Sequence, residues 1–218
     1  DSLTYTGSEV YVGRNHALLA VDLPIFEQNY GTLKIDENTS LQEFNASTLQ
    51  HINQNLSVQK NPALISLDFS SLDTIGERLY VYRNLAMTDI ELSSLERVGA
   101  NFNVENNDSI INLELPALTH LSNDSGQQWT VKNNMSLETI SFPLLEEMSH
   151  FEVMYNQDLI SLSTPSLAAI KKWYPDYEYN NNWANLYNVS SNNSALTLTT
   201  DYCTIAGLDS HCGHGMAY

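Results

Sequence analysis

Leu79-Tyr80-Val81-Tyr82-Arg83-Asn84-Leu85-Ala86-Met87-Thr88-Asp89-Ile90-Glu91-Leu92-Ser93-Ser94-Leu95-Glu96-Arg97-Val98-Gly99 is the stretch that decides the fold. Leu79 and Val81, then Ile90 and Leu92, alternate with a period of two, so each pair faces inward and the residue between faces out. Met87 and Ile90 lie too close to these pairs for a helical run, so turns connect them. The unit recurs. Leu56, Val58, Asn61, Leu64, Leu67, Phe69, Leu72 and Ile75 precede it; Phe102, Val104, Asn107, Ile110, Leu113, Leu115, Leu118 and Leu121 follow it. The repeated asparagine falls at Asn15, Asn38, Asn61, Asn84, Asn107, Asn134 and Asn156, at intervals of 23, 23, 23, 23, 27 and 22. A fixed period of this length marks a stacked repeat.

One such unit cannot bury its apolar face alone, but a stack can. The expected fold is a β-rich solenoid: a right-handed stack of about eight coils of about 23 residues with parallel strands. At about 4.8 Å per coil the rod is roughly 35–40 Å long. Residues 1–170 carry seven clear coils. Residues 171–218 are read as a degenerate last coil or coils and a C-terminal cap. An eighth rung is expected at Tyr177-Glu178-Tyr179 with Asn182, and Leu196 and Leu198 to open a ninth rung or the cap. The seven asparagines are read as a structural ladder, their amides satisfying backbone groups at the turn. Pro24, Pro116, Pro143 and Pro165 share a column with Ser47, Ser70 and Ser93, which suits a corner. Gly76 and Gly99 precede a new coil, where a tight bend is expected. The insert around Asn123-Asp124-Ser125-Gly126 is expected to protrude as a loop.

The phrase Ile75-Gly76-x-x-Leu79-x-Val81-x-x-Asn84, repeated as Val98-Gly99-x-x-Phe102-x-Val104-x-x-Asn107, is similar to the coil of receptor L domains. These are the leucine-rich-repeat-like solenoids of insulin-receptor and epidermal-growth-factor-receptor ectodomains. It also resembles fungal GPI-anchored cell-wall proteins with related repeats. The likeness spans roughly residues 9–170. It implies an extracellular binding or wall-structural role without catalysis, and it offers no catalytic residue.

The 218 residues hold 26 acids against nine bases, a net charge of −17. A nucleic-acid reader needs a basic surface, so that class is excluded, and anionic lipid is disfavoured. Hydrophobic content of 42% is too high for a disordered acidic tail. No apolar run approaches a membrane span. The chain opens at Asp1 without a basic n-region or apolar h-region, which reads as a processed or excised segment. Eight Asn-x-Ser sequons suit a secreted or cell-surface glycoprotein. Asn38, Asn107 and Asn134 are also ladder positions, so Asn45, Asn55, Asn123, Asn188 and Asn192 are the better glycan acceptors. Outside the cell, Cys203 and Cys212 most simply form a disulfide. With His211 and His214 they tempt a zinc reading, but the spacing fits no C-x₂-C pair. No metal site and no cofactor is assigned. No G-x-S-x-G, H-E-x-x-H, G-x-G-x-x-G or P-loop pattern occurs, and outward carboxylates form no repeated pair, so the chain is not read as an enzyme.

The outward first-strand residues carry the candidate binding face: Tyr11, Lys34, Tyr80, Tyr82, Arg83 and Lys132. Six of the nine basic residues fall in or beside these strands, leaving this face less acidic than the rest. Aromatic and cationic side chains are the types enriched at recognition hot spots. The outlying columns of Asp68, Asp73, Glu91, Glu96, Glu114, Glu138, Glu146 and Glu147 read as a solubilising surface. Trp173, Tyr174, Tyr177, Tyr179 and Trp183 are read as covering the last coil. The expected role is a non-catalytic extracellular recognition module for a protein or glycan. The alternative is a structural glycoprotein subunit of a wall, matrix or filament that self-associates, disrupted by changes at Trp173 or Trp183.

Overall fold

The computed structural model describes residues 4–121, 129–148, 151–170, 187–190 and 197–198. It is a parallel β-solenoid of about 7 turns with about 23 residues per turn. No helix occurs among the described residues. Three strands per coil build three sides. The first side stacks β2 (Val10–Gly13), β5 (Leu33–Asp36), β8 (Leu56–Gln59), β11 (Leu79–Tyr82), β14 (Phe102–Glu105), β17 (Trp129–Lys132), β20 (Phe151–Met154) and β23 (Tyr187–Ser190). The second holds β3 (Ala20–Asp22), β6 (Glu43–Asn45), β9 (Ser66–Asp68), β12 (Asp89–Glu91), β15 (Asn112–Glu114), β18 (Thr139–Ser141), β21 (Ser161–Ser163) and β24 (Thr197–Leu198). The third is narrow: β1 (Tyr5–Thr6), β4 (Gln28–Asn29), β7 (His51–Ile52), β10 (Thr74–Ile75), β13 (Arg97–Val98), β16 (His120–Leu121), β19 (Glu147–Met148) and β22 (Ala169–Ile170). Coils are numbered below from the one that holds β2.

Register follows the repeat residue for residue. Leu79 lies between Leu56 and Phe102, and Val81 between Val58 and Val104. Their side chains fill a continuous core in which Phe44 meets Phe69 at 5.7 Å and Phe102 stacks on Trp129 at 5.6 Å. The strand paired with β20 is β23, with Phe151 opposite Tyr187. The eighth first strand therefore lies further along the chain than the expected Tyr177-Glu178-Tyr179. Those residues and Asn182 fall outside the described ones. Leu198 pairs with Leu162 in the second strand of that coil, so it opens no ninth rung.

Two corners have a clear chemical basis. Leu72 N–H bonds Phe69 C=O, and Leu95 N–H bonds Leu92 C=O, closing turns whose second residue is a serine. Asn45 Oδ1 accepts the Ser47 N–H and Asp68 Oδ1 the Ser70 N–H, each at 2.9 Å. Where proline takes that place there is no N–H to satisfy. Gly76 and Gly99 each lie in a bend, as expected, and serve a second purpose as well. A Cβ on Gly76 would stand 2.1 Å from Asn53 O, and one on Gly99 2.1 Å from Gly76 O. Neither shows a left-handed φ; they let successive coils touch backbone to backbone.

The second side is not continuous. It forms two four-stranded sheets, β3-β6-β9-β12 and β15-β18-β21-β24, with no pairing between β12 and β15. Glu91 and Glu114 end the strands on either side of this break. The first side runs through the same coils unbroken.

Candidate binding face

The first-strand side displays its outward residues as columns. One runs Tyr11, Lys34, Ser57, Tyr80, Asn103, Thr130, Glu152; the next runs Gly13, Asp36, Gln59, Tyr82, Glu105, Lys132, Met154. The sequence pattern missed what comes next. Arg14, Glu37, Lys60, Arg83, Asn106, Asn133 and Tyr155 all have left-handed φ, between 52° and 58°. Continued alternation would turn these residues inward and the following asparagine outward. The left-handed step reverses both, so Arg83 is exposed and Asn84 is buried. It costs about 1 kcal/mol per residue. Bonds to the next coil offset that cost: the N–H of Lys60 reaches Tyr82 O and that of Arg83 reaches Glu105 O.

The buried asparagines form an unbroken column. Asn84 Oδ1 accepts from the Asn61 backbone N–H at 3.1 Å and from Asn61 Nδ2 at 3.1 Å. Asn84 Nδ2 donates to Val58 O at 3.0 Å, and the Asn84 backbone N–H to Asn107 Oδ1 at 3.0 Å. The pattern runs from Asn15 through Asn38, Asn61, Asn84, Asn107 and Asn134 to Asn156. All but Asn15 are fully buried. Asn38, Asn107 and Asn134 therefore present no amide for a glycan.

The six candidate residues fall into three groups. Lys34 Nζ lies 5.3 Å from the Tyr11 ring centroid and 3.3 Å from Asp36 Oδ2. Tyr80 and Tyr82 stack at 5.5 Å, with the Arg83 guanidinium 5.1 Å from the Tyr82 ring. Lys132 stands two strands beyond Tyr82, and its Nζ is 3.5 Å from Glu105 Oε2. Glu105 Oε1 accepts from Asn103 Nδ2 at 3.0 Å. Glu37 receives Arg14 Nε at 3.2 Å and Lys60 Nζ at 3.0 Å. Those two cations hold the Glu37 carboxyl below its ordinary value, Lys60 foremost, while Glu37 raises the Lys60 ammonium. Burial pushes the Tyr80 phenol up, with Glu105 and Tyr82 adding to it and Arg83 opposing.

Beside Tyr80 the face is concave. A groove of ≈ 490 Å³ runs across coils two to five. Thr32, Asn55, Arg78 and Asn101 line one side; Lys34, Ser57, Tyr80 and Asn103 line the other, with Gln59 behind. Asn55 Nδ2 donates to Thr32 Oγ1 at 3.1 Å, yet Asn55 Oδ1 and Asn101 Oδ1 are shielded from solvent and have no partner among the described residues. Each such orphan costs about 1–3 kcal/mol. No family model, no curated protein and no solved structure matches this chain. The groove's chemistry is thus read from its own residues. Its lining is polar and aromatic, without a carboxylate.

Sequence reading had not grouped Thr32, Asn55, Arg78 and Asn101. They stand one residue before the first inward strand position, where the alternation is first counted. Their shared offset within the repeat was the available signal. Of the glycan acceptors, Asn55 lies in the groove wall, and Asn45 is half-exposed on the second side with Nδ2 donating to Asp22 Oδ1 at 2.9 Å. Asn188 is in β23. Asn123, Asn192, Cys203, Cys212, Trp173 and Trp183 lie outside the described residues.

Proposed function

We propose that this solenoid is a non-catalytic recognition module of the cell surface or extracellular space, of the receptor L-domain kind, reading a protein or glycan through its first-strand side. The groove beside Tyr80 carries the reading. It brings an aromatic ring, two cations and a set of amides together on a rigid parallel sheet, the composition suited to a specific partner. The test is sedimentation velocity over a range of concentrations, followed by capture on an array of glycans and secreted ectodomains. A monomer whose capture is lost in Tyr80→Ala/Arg83→Ala, with folding intact, supports the reading. Capture unchanged in that variant defeats it.

A structural subunit is the second reading, favoured by one observation. β1, β2 and β3 are terminal strands of their sheets, so the first coil offers unpaired edges to a further strand. Concentration-dependent polymers in the same centrifugation, ended by charge substitutions in β2, would support it.

A further inference from the structure

Resting on the recognition reading above, we infer that the groove across coils two to five binds a saccharide bearing a carboxylate, a uronate or sialate residue, with Arg78 as its anchor. The first argument is charge. The chain carries −17 overall, yet the groove is lined by two cations and no acid. Asp36 and Glu105, the acids of the adjoining column, are engaged by Lys34 and by Lys132 with Asn103. Arg78 is exposed and has no carboxylate partner among the described residues. A guanidinium presents a planar fork that matches a carboxylate in two parallel hydrogen bonds.

The second argument is the pattern around Arg78. Asn55 and Asn101 flank it, one coil to each side, about 4.8 Å away along the stack. That spacing is close to the length of one pyranose ring. Both residues are partly exposed and line the groove, where their amide Nδ2 groups are donors for sugar hydroxyls. Tyr80 lies on the same face and gives a ring for the C–H side of a sugar. An acidic peptide fits less well. β5, β8, β11 and β14 are paired on both sides, so no strand edge is open to it, and the groove has no aliphatic pocket for its side chains.

The test is calorimetric titration of the full chain with tetragalacturonate, its carboxyl-reduced neutral counterpart, sialyllactose, lactose and a sulfated tetrasaccharide. One acidic sugar should bind, and its neutral counterpart about tenfold to a hundredfold more weakly, the range expected of a charged hydrogen-bonding pair. Arg78→Gln should erase that preference, Arg78→Lys restore part of it, and Arg97→Gln on the third side leave it unchanged. Equal binding of acidic and neutral sugars overturns the assignment. So do binding of the sulfated sugar alone, a preference that survives Arg78→Gln, and no binding by either acid. A protein or neutral glycan captured through Tyr80 would remove the carboxylate assignment and leave the recognition reading standing. Capture that survives Tyr80→Ala/Arg83→Ala removes both.

Discussion

Replacing Asn84 by alanine cuts the asparagine column at its centre. Four bonds go: two donated by Asn61, from its backbone N–H and Nδ2, and two donated by Asn84 Nδ2, to Val58 O and to Asn107 Oδ1. Asn61 Nδ2 keeps Ile35 O at 3.1 Å and Gln59 O at 2.9 Å. The Asn61 backbone N–H loses its side-chain acceptor in a fully buried place. An orphaned buried donor costs about 1–3 kcal/mol and each lost bond about 1 kcal/mol, so the change should destabilise by about 4 kcal/mol. That is a large part of the roughly 5–15 kcal/mol typical of a domain. Asn84→Asp should be at least as damaging, because a carboxylate cannot donate to Val58 O and faces Asn107 Oδ1. Asn15→Ala is the control. Asn15 is exposed at the end of the column and accepts from no preceding asparagine, so its loss should cost below about 1 kcal/mol. Urea titrations followed by circular dichroism would compare midpoints, with slopes checked because stacked repeats can unfold in parts. Equal midpoints for Asn84→Ala and Asn15→Ala would refute the reasoning.

Further outcomes follow from the same geometry. Gly76→Ala should lower stability by about 2 kcal/mol or more, since its Cβ meets a backbone carbonyl rather than a movable side chain; thermal melts would read it. At Tyr155, φ 58°, valine should destabilise by about 1–2 kcal/mol while asparagine is neutral or stabilising, measured by the same melts. Glu37 has a lowered folded-state value, so its contribution is present above about pH 4.5 and fades as pH falls through the folded value; Glu37→Gln should flatten that acid limb, and high salt should shrink the difference. Because Asn55 lines the groove, a glycan installed there should abolish capture that the unglycosylated wild-type protein retains, read by mass spectrometry beside the array.

The coil stack was legible in the sequence because one residue pattern recurs at a fixed interval and each coil must bury the same positions. Leu56, Leu79 and Phe102 could be aligned on spacing alone. The Asn84 column was legible as a recurring residue. The reason it turns inward was not, because the left-handed step at Arg83 is a backbone event at a residue of unrelated type in every coil. Gly76 was legible as the residue of a bend, but its backbone contact with the preceding coil was not. The eighth coil was misplaced because Tyr177 and Tyr179 imitate a strand pair, whereas the pairing falls at Tyr187 and Val189. The binding face was legible in part. Tyr80, Tyr82 and Arg83 do converge, but Lys34 and Lys132 are each tied to an acid, and Arg78, counted among the basic residues beside the first strand, was not placed in the candidate face. Charge pairing, within a strand for Lys34 and Asp36 and across coils for Lys132 and Glu105, depends on side-chain reach, which column position does not reveal.

The most direct test of the central claim is capture on a glycan and ectodomain array by three forms of the chain: the wild type, Tyr80→Ala/Arg83→Ala on the first side, and Arg97→Gln on the third. The account predicts that wild type and Arg97→Gln share their hits and that the first-side variant, folded by circular dichroism, loses them. Identical hits in all three would contradict it.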